Sequence, residues 1–389
     1  MKDKDFVSKI VQRIPPSGIR KYFDLLTDDC ISFGVGEPDF PTPDSFRIPA
    51  LEELKQGRVA YTSNSGDPHL RQLLIRFMLE RYELSYPSID NILITVGASQ
   101  ALDLVFRAIL DPGDEVIIHE PSYVAYAPDI LLAGGVPVSI ETSASNSFRV
   151  TPEAIKAAIT PRTKAILLAY PNNPTGAILK EEHLQEIAKV ISDTDLLVVS
   201  DEIYAELTFG GDRHHSIAEM PNMFDRTVVI NGFSKAFSMT GWRVGYAAGP
   251  KNLISAMRKV HQLTMLCAPT PAQVCAIHAL EESFRTDYAD MKRMIDEYAV
   301  RRAYIIERFN SMGLPCFETD GAFYVFPSIE STGLKSEEFC DRLLAAEKVV
   351  MIPGTAFGAF GEGHIRCCYA TSMEDIVEGM NRTQRFLGR

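Results

Sequence analysis

Residues 91–110, NILITVGASQALDLVFRAIL, join a short apolar run to a helical pattern. The run NILITV is rich in Ile and apolar at nearly every position, which is typical of a strand buried on both faces of a parallel sheet. The stretch SQALDLVFRAIL repeats apolar residues at helical spacing. Together they predict one strand–helix unit of an α/β domain.

Similar apolar runs alternate with helical patterns along the middle of the chain: EVIIHE, PVSIE, KAILLAY, LLVVSDE and TVVIN. We therefore expect a large, doubly wound domain with a mainly parallel sheet over residues 41–284. After Gly249, long helical patterns precede short strands at AFYVFP and HIRCCYA, which predict a smaller α+β domain. Residues 285–389 would form that domain, completed by the Pro-rich segment 1–40.

The charge balance argues against two classes of partner. Lys and Arg total 39 against 51 Asp and Glu, which gives a net charge of −12. Such a field repels phosphate backbones and anionic lipids, so we expect neither nucleic acid nor a membrane as partner. An anionic substrate would need local cations, which draws attention to individual arginines.

The cysteines and the N-terminus bear on the compartment. The seven cysteines form no CxxC pair and have no neighbouring His at ligand spacing, so we expect free thiols and no metal site. The first 18 residues lack the apolar core of a signal peptide, and no run reaches transmembrane length. These features predict a cytoplasmic protein.

Polar residues follow four of the predicted strands, and in open α/β sheets ligands lie beyond the carboxyl ends of the strands. After NILITV, the backbone N–H groups of Gly97, Ala98 and Ser99 would open a helix and form an anion site. A plain helix cap at Ser99 explains the same residues. After KAILLAY comes PNNPTG, where Asn173 either faces a ligand or belongs to a rigid turn.

The other two strands deliver a carboxylate, a phenol and an amine. Asp201 and Tyr204 follow LLVVS; a buried carboxylate at that place needs a cation or a proton donor, although Asp201 could also cap a helix. Lys235 follows TVVIN among small residues, a setting typical of a lysine that forms a Schiff base. An amine, an acid, phenolate donors and an anion site are what pyridoxal phosphate (PLP) requires.

With these residues in place, the chain resembles the PLP-dependent aminotransferases of fold type I, class I and II, the aspartate and aromatic aminotransferase-like subgroup. The matching motifs span nearly the whole chain in the family's order: GVGEPDFPTP, YTSNSGDPHLR, TVGASQALDL, YPNNPTG, SDEIY, SKAFSMTGWRVGY, GAFYVFP and HIRCCYATS.

The resemblance implies roles around the cofactor ring. Lys235 would form the Schiff base with PLP and then move the proton as a free amine. Asp201 would keep the pyridine nitrogen protonated. Asn173 and Tyr204 would hydrogen-bond the phenolate oxygen, and Tyr123 would stack on the ring.

The resemblance also implies the residues that bind the phosphate: Arg243, Ser234 and the amides of Ala98 and Ser99. Tyr61 would reach the phosphate from a second subunit, which implies a homodimer with shared active sites. Relatives often have Ser three residues before the lysine, where this chain has Gly232. One phosphate hydroxyl is therefore expected to be missing.

For the substrate, the resemblance implies that Arg366 binds the α-carboxylate, that Gly36 adds a backbone N–H and that Asn173 also contacts the substrate. The expected reaction moves the amino group of an L-amino acid to a 2-oxo acid such as 2-oxoglutarate. The sequence leaves a PLP-dependent carbon–sulfur β-lyase open, because it would use the same residues. A noncatalytic PLP-binding module would show a degraded site or an appended DNA-binding segment, and the sequence has neither.

Aminotransferases with these motifs differ in the amino donor that they use. Aspartate, aromatic and N-acetyl-diaminopimelate aminotransferases all share these motifs. No second arginine is assignable by motif to a distal carboxylate. This favours an aromatic or broad amino donor.

Overall fold

The computed structural model describes residues 6–16, 18–57, 59–211 and 213–388. Its strands are β1 (Ile31–Ser32), β2 (Ile92–Thr95), β3 (Glu115–Glu120), β4 (Val136–Glu141), β5 (Thr163–Ala169), β6 (Leu197–Asp201), β7 (Thr227–Gly232), β8 (Gly245–Ala248), β9 (Tyr324–Val325), β10 (Val349–Val350), β11 (Ile352–Pro353) and β12 (Ile365–Cys368). Its helices are α1 (Lys9–Arg13), α2 (Arg20–Phe23), α3 (Asp44–Gln56), α4 (Pro68–Tyr82), α5 (Gly97–Ile109), α6 (Tyr126–Leu132), α7 (Pro152–Ala158), α8 (Glu181–Ser192), α9 (Lys251–Thr264), α10 (Thr270–Thr286), α11 (Ala289–Ser311), α12 (Ser336–Glu347) and α13 (Met373–Leu387). Within those ranges, no helix is both long and apolar enough to cross a lipid bilayer.

A seven-stranded sheet, counted over the described residues, forms the centre of the molecule, with the strand order β2-β8-β7-β6-β5-β3-β4. Neighbouring strands are parallel except at β8, which lies antiparallel between β2 and β7. Helices α5, α6 and α9 pack on one face, and α4, α8 and α10 pack on the other. The prediction of a doubly wound, mainly parallel α/β fold is therefore confirmed.

Burial follows the side-chain alternation of the strands. In β5, Ile166 and Leu168 belong to the core on one face of the sheet, whereas Ala165 and Leu167 belong to the core on the other. Burial on both faces explains why β5 is apolar at consecutive positions.

The edge strand β4 departs from the expected burial on both faces. Val136 is exposed, and Ile140 is the buried residue of this strand. The physical reason is that β4 pairs with β3 at the border of the sheet. Pro137, which has no N–H to donate, is tolerated at such an edge.

The strand β8 was not predicted from the sequence. Its residues, GYAA, include one glycine and two alanines, which are weak strand formers. Gly245 is required by close packing, because a Cβ there would lie 2.6 Å from the carbonyl carbon of Gly97. The start of β8 thus packs against the start of α5.

The C-terminal elements form a second layer with the N-terminal segment. β1 pairs in parallel with β10, and β9, β12 and β11 form a small antiparallel sheet. The long helical patterns expected after Gly249 are helices α9, α10 and α11, of which α11, Ala289–Ser311, is the longest of the three. The domain boundary expected at 284/285 falls inside the last turn of α10, and residues 1–5, 17, 58, 212 and 389 lie outside the described residues.

Candidate active site

A cavity of about 930 Å³ lies at the edge where β2, β5, β6 and β7 end. Because β8 runs the opposite way, its first residue meets the same edge, and Gly245 pairs with both Thr95 and Gly232. Eleven of the twelve predicted site residues line this cavity: Gly36, Ala98, Ser99, Tyr123, Asn173, Asp201, Tyr204, Ser234, Lys235, Arg243 and Arg366. The fold therefore brings together side chains that are far apart in the sequence.

Lys235 lies in the turn after β7, where the small residues of the sequence let the chain enclose its side chain. Its Nζ donates a hydrogen bond of 2.5 Å to the carbonyl oxygen of Gly36. The rings of Tyr204 and Phe323 lie 5.6 and 5.5 Å from the same nitrogen. Burial lowers the pKa of Lys235 to about 8, so far more of the amine is neutral and nucleophilic near neutral pH than in an ordinary lysine.

Asp201 is the last residue of β6 and is 5% exposed. Tyr126 donates a hydrogen bond of 2.9 Å to Oδ2, and the backbone N–H of Ile203 donates one of 3.1 Å to Oδ1. Burial raises the pKa of Asp201 to about 6, although the hydrogen bond from Tyr126 opposes this shift. Among the described residues no Lys, Arg or His forms an ion pair with this carboxylate, which fits a cationic partner such as a protonated pyridine nitrogen.

In the turn after β5, the two neighbouring asparagines have different surroundings. Asn172 holds the turn, because its Oδ1 accepts hydrogen bonds from both the N–H and the hydroxyl of Thr175. Asn173 instead lines the cavity, and its Oδ1 accepts a hydrogen bond of 2.9 Å from Arg366. Its amide can therefore serve a ligand.

Tyr204 forms a phenol pair that the sequence did not indicate. Its hydroxyl lies 2.7 Å from the hydroxyl of Tyr324, and both residues line the cavity. The position of Tyr324 also explains why residue 36 is a glycine, because a Cβ at Gly36 would lie 2.2 Å from the Tyr324 hydroxyl oxygen. The region after β6 forms turns and no regular helix, so Asp201 does not cap one.

The anion site combines a helix N-terminus with a guanidinium. α5 begins at Gly97, so Ser99 lies in its first turn and is not the cap. A Cβ at Gly97, whose φ is +70°, would lie 2.6 Å from Nη2 of Arg243. Arg243 also donates a hydrogen bond of 2.9 Å to the carbonyl oxygen of Thr240. The N–H groups and the dipole of the start of α5 lie beside the positively charged guanidinium of Arg243. Such an arrangement can bind a phosphate group.

Arg366, in β12, is 2% exposed and lies between two aromatic rings, 4.7 Å from the Tyr324 centroid and 4.8 Å from the Phe357 centroid. It donates hydrogen bonds to the carbonyl oxygen of Gly34 at 2.5 Å and to Asn173. Its Nε has no hydrogen-bond partner among the described residues. A buried cation without a carboxylate partner fits a carboxylate from a substrate.

Tyr61 is the predicted site residue that does not line the cavity. Its side chain is 81% exposed. The surrounding segment is fixed to the neighbouring loop, since Thr270 donates a hydrogen bond of 2.6 Å to the carbonyl oxygen of Ala60 and Asn64 donates one of 2.8 Å to that of Leu266. Within one subunit, Tyr61 therefore faces outward.

Sequence reasoning missed several lining residues, among them Arg20, Tyr126, Thr240 and Tyr324. Tyr126 lies three residues after Tyr123, which was assigned the stacking role, and Tyr324 belongs to the motif GAFYVFP, from which no site residue was taken. Arg20 gave no signal, because it lies in an irregular N-terminal segment far from any predicted strand end.

The fold and the site together define a PLP-dependent enzyme of fold type I. The chain belongs to the class I and II aminotransferase family, which matches residues 28–382.

Similar proteins carry more specific names. The aspartate aminotransferase of Pyrococcus abyssi is 41% identical over 96% of each chain, and the aromatic-amino-acid aminotransferase 2 of Thermococcus litoralis is 39% identical over 98% of each chain. Among solved structures, the aspartate aminotransferase of Thermus thermophilus with maleate superposes with a TM-score of 0.92 at 37% identity, covering 98% of this chain and 100% of that one.

Proposed function

We propose that this PLP-dependent aminotransferase moves the amino group of an aromatic or other L-amino acid to a 2-oxo acid such as 2-oxoglutarate. One observation carries the proposal. The buried guanidinium of Arg366 has no carboxylate partner among the described residues and shares its cavity with the amine of Lys235. A site with these two groups can bind the α-carboxylate of an amino acid and exchange a proton at its α-carbon.

The residues around the cavity fit the parts of the cofactor. When bound, PLP supplies an aldehyde that reacts with amines and an electron-withdrawing ring. Arg243, Ser234 and the amides of Ala98 and Ser99 would hold its phosphate. In this arrangement Gly232 supplies no hydroxyl, as the sequence indicates.

Other residues set the charge of the ring. Asp201 would accept the hydrogen bond of the protonated pyridine nitrogen, and Tyr126 positions that carboxylate. Asn173 and Tyr204 would donate to the phenolate oxygen, and Tyr123 would stack on the ring face. An Asp201 carboxylate paired with this cation no longer carries the cost of being buried alone.

The substrate is oriented by Arg366 and Gly36. The planar guanidinium suits a bidentate contact with the α-carboxylate, and the backbone N–H of Gly36 would add a donor. This orientation places the α-hydrogen toward Lys235, whose free amine removes the proton. Both substrates of the transfer have an α-carboxylate, so Arg366 serves both half-reactions.

The amino donor is the open part of the proposal. The relatives named for aspartate and for aromatic amino acids are about equally similar to this chain, and a further relative is named for N-acetyl-LL-diaminopimelate. A panel of amino acids with 2-oxoglutarate, followed as glutamate formed, tests the donor. We expect activity with aromatic donors. Activity confined to aspartate would contradict the proposed aromatic or broad specificity. Release of pyruvate and ammonia without an acceptor would indicate that the enzyme catalyses β-elimination instead.

A homodimer completes the proposal. Tyr61 and Val59, which are 81% and 53% exposed, lie in a segment that Asn64 joins to the end of α9 by its hydrogen bond to Leu266. The last turn of α9 contains Leu263, which is 87% exposed. A second copy covering this surface would bring Tyr61 to the phosphate site of its partner.

We further propose two domains, 41–284 and 285–389 with 1–40, which the pairing of β1 with β10 supports. A cytoplasmic location and a role in amino acid biosynthesis stay predictions.

A further inference from the structure

Arg20 is a third arginine on the wall of the active-site cavity, beside Arg243 and Arg366. It begins α2, and the residues of this short segment divide between two sides. Ile19, Arg20 and Phe23 line the cavity. Lys21 and Tyr22 face the other way.

The opposite side of α2 is fixed to α12. Lys21 Nζ donates a hydrogen bond of 2.7 Å to Glu337, and the hydroxyl of Tyr22 donates one of 3.0 Å to Asp341. Tyr22 is 1% exposed. These contacts hold α2 in place, so Arg20 faces the cavity as a result of a defined packing.

The guanidinium of Arg20 is held only by an exposed ion pair among the described residues. Within the described residues its charged partner is Asp24, four residues on, at 3.4 Å, and the two side chains are 74% and 68% exposed. An exposed pair of this kind contributes little and is readily exchanged for another partner. Arg366 and Arg243, in contrast, are fixed by hydrogen bonds within the site.

The cavity wall has more positive than negative side chains, which favours the binding of a substrate with a second carboxylate. Lys235 and three arginines face two carboxylates among the lining residues, Asp201 and Glu37. The carboxylate of Asp201 already accepts hydrogen bonds from Tyr126 and from a backbone N–H. Because the chain as a whole has a net charge of −12, a dianionic substrate needs local cations to enter. Arg366 can bind one of its carboxylates.

We propose that Arg20 binds the second carboxylate of dicarboxylic substrates such as 2-oxoglutarate, and so determines which 2-oxo acids and amino acids the enzyme accepts. This inference rests on the proposed function and adds its substrate class. Ile19 and Phe23, beside Arg20, offer apolar contact to a donor without a second carboxylate. An exposed arginine keeps its rotamer freedom and can remain in water when such a donor is bound.

The test compares two acceptors in the holoenzyme with one fixed amino donor. 2-Oxoglutarate has a second carboxylate, and 4-methyl-2-oxopentanoate does not. In Arg20→Met, we expect the ratio of kcat/KM for 2-oxoglutarate to that for 4-methyl-2-oxopentanoate to fall roughly tenfold to hundredfold, the loss typical of one charged hydrogen-bonded contact. The change should lie mainly in KM, because the contact is present before and during the reaction. Arg20→Lys should recover part of the ratio.

Lys21→Met is the matched control. It removes the same charge from the same helix, but on the side that faces Glu337 and Asp341. We expect its ratio to stay within about twofold of wild type, because the buried Tyr22 still fixes α2 to Asp341 and the exposed ion pairs of Lys21 contribute little. An equal loss for both acceptors in Arg20→Met, or the same selective loss in Lys21→Met, would overturn the assignment of Arg20.

A binding measurement separates this inference from the proposed function. Glutarate, a dicarboxylate without an amino group, should raise the thermal stability of the wild-type holoenzyme more than that of Arg20→Met, whereas butyrate should act equally on both. If no donor and acceptor react in the wild type, the proposed function fails, and glutarate still tests Arg20. Equal stabilisation of both proteins by glutarate would refute the role of Arg20.

Discussion

At the residue scale, the amine of Lys235 combines a hydrogen bond to the Gly36 carbonyl with burial beside aromatic rings. We expect Lys235→Ala to retain PLP through the phosphate site but to lose at least roughly a hundredfold in the rate of transamination, since Lys235 is the one lysine among the described residues that line the cavity. Stopped-flow rates with an amino donor and the visible spectrum of bound PLP measure the two properties.

A labelling experiment provides the check for this variant. Borohydride reduction of wild type with PLP should attach the cofactor to the peptide containing residue 235 and to no other peptide. A label elsewhere, or undiminished turnover in Lys235→Ala, would contradict the assignment.

Tyr126 acts on the reaction through Asp201. Burial raises the pKa of this carboxyl, and the hydrogen bond from Tyr126 opposes that rise, so that the pKa is about 6 with the bond present. In Tyr126→Phe the pKa of Asp201 therefore rises further, and more of the group is protonated at any given pH. Because the ring nitrogen needs the carboxylate, the acidic limb of the pH profile of kcat should move to higher pH.

The control for this prediction is another buried tyrosine. The hydroxyl of Tyr246 has no hydrogen-bond partner among the described residues. Tyr246→Phe should therefore leave the acidic limb in place. A shift to lower pH in Tyr126→Phe would show that the hydrogen bond has the opposite effect.

The sequence indicated individual site residues where they directly follow a strand. Asp201 and Lys235 could be found in this way, because apolar runs mark the strand ends. Arg20 and Tyr324 could not, because their place on the cavity wall depends on how α2 and β9 pack against distant elements. The role of Tyr61 stays a prediction, since this residue does not line the active-site cavity of its own subunit.

At the element scale, five of the six strands predicted for the large domain are apolar at consecutive positions and mostly buried, and all five lie in the central sheet: β2, β3, β5, β6 and β7. β8 was missed because its glycine and alanines carry no strand signal, and pairing with two neighbours supplies the stability instead. The two-residue strands β1, β10 and β11 depend on long-range pairing and could not be predicted from local pattern.

The contact between β8 and α5 leads to a prediction about cofactor binding. In Gly245→Ala the new Cβ would lie 2.6 Å from the carbonyl carbon of Gly97 and 2.7 Å from the N of Ala98. Both are backbone atoms, so the start of α5 or the start of β8 must shift, which disturbs the close approach of Gly97 to Arg243. We expect PLP affinity to fall roughly tenfold or more, from a steric cost of about 1–3 kcal/mol.

Titration of the apoprotein with PLP, followed by fluorescence, measures this loss. Gly57→Ala is the matched control, because the nearest atom to its new Cβ is 3.9 Å away. Equal PLP affinity in Gly245→Ala and Gly57→Ala would show that the close packing does not shape the phosphate site.

At the scale of the whole molecule, the exposed apolar surface around Tyr61 predicts a subunit interface. Leu263→Asp would place a charge in that interface, and an unpaired charge without water is costly. We expect the dimer to dissociate at protein concentrations roughly tenfold higher or more, with PLP affinity falling as the dimer is lost. Sedimentation velocity over a dilution series measures the dissociation.

The control for the interface uses a different surface. Val300, on α11, is 60% exposed and lies away from Tyr61 in the chain. Val300→Asp should leave the dissociation constant unchanged. A monomeric wild type at high concentration would refute the shared active site.

The pairing of β1 with β10 has a consequence for biosynthesis. Ile31 must meet Val349, which leaves the ribosome after more than 300 further residues have been added. Until then α2 has no α12 to dock on, and the cavity lacks the wall that contains Arg20. A nascent or prematurely terminated chain can thus fold its central sheet and still be unable to complete the pocket, so substrate recognition arises only when translation is nearly finished.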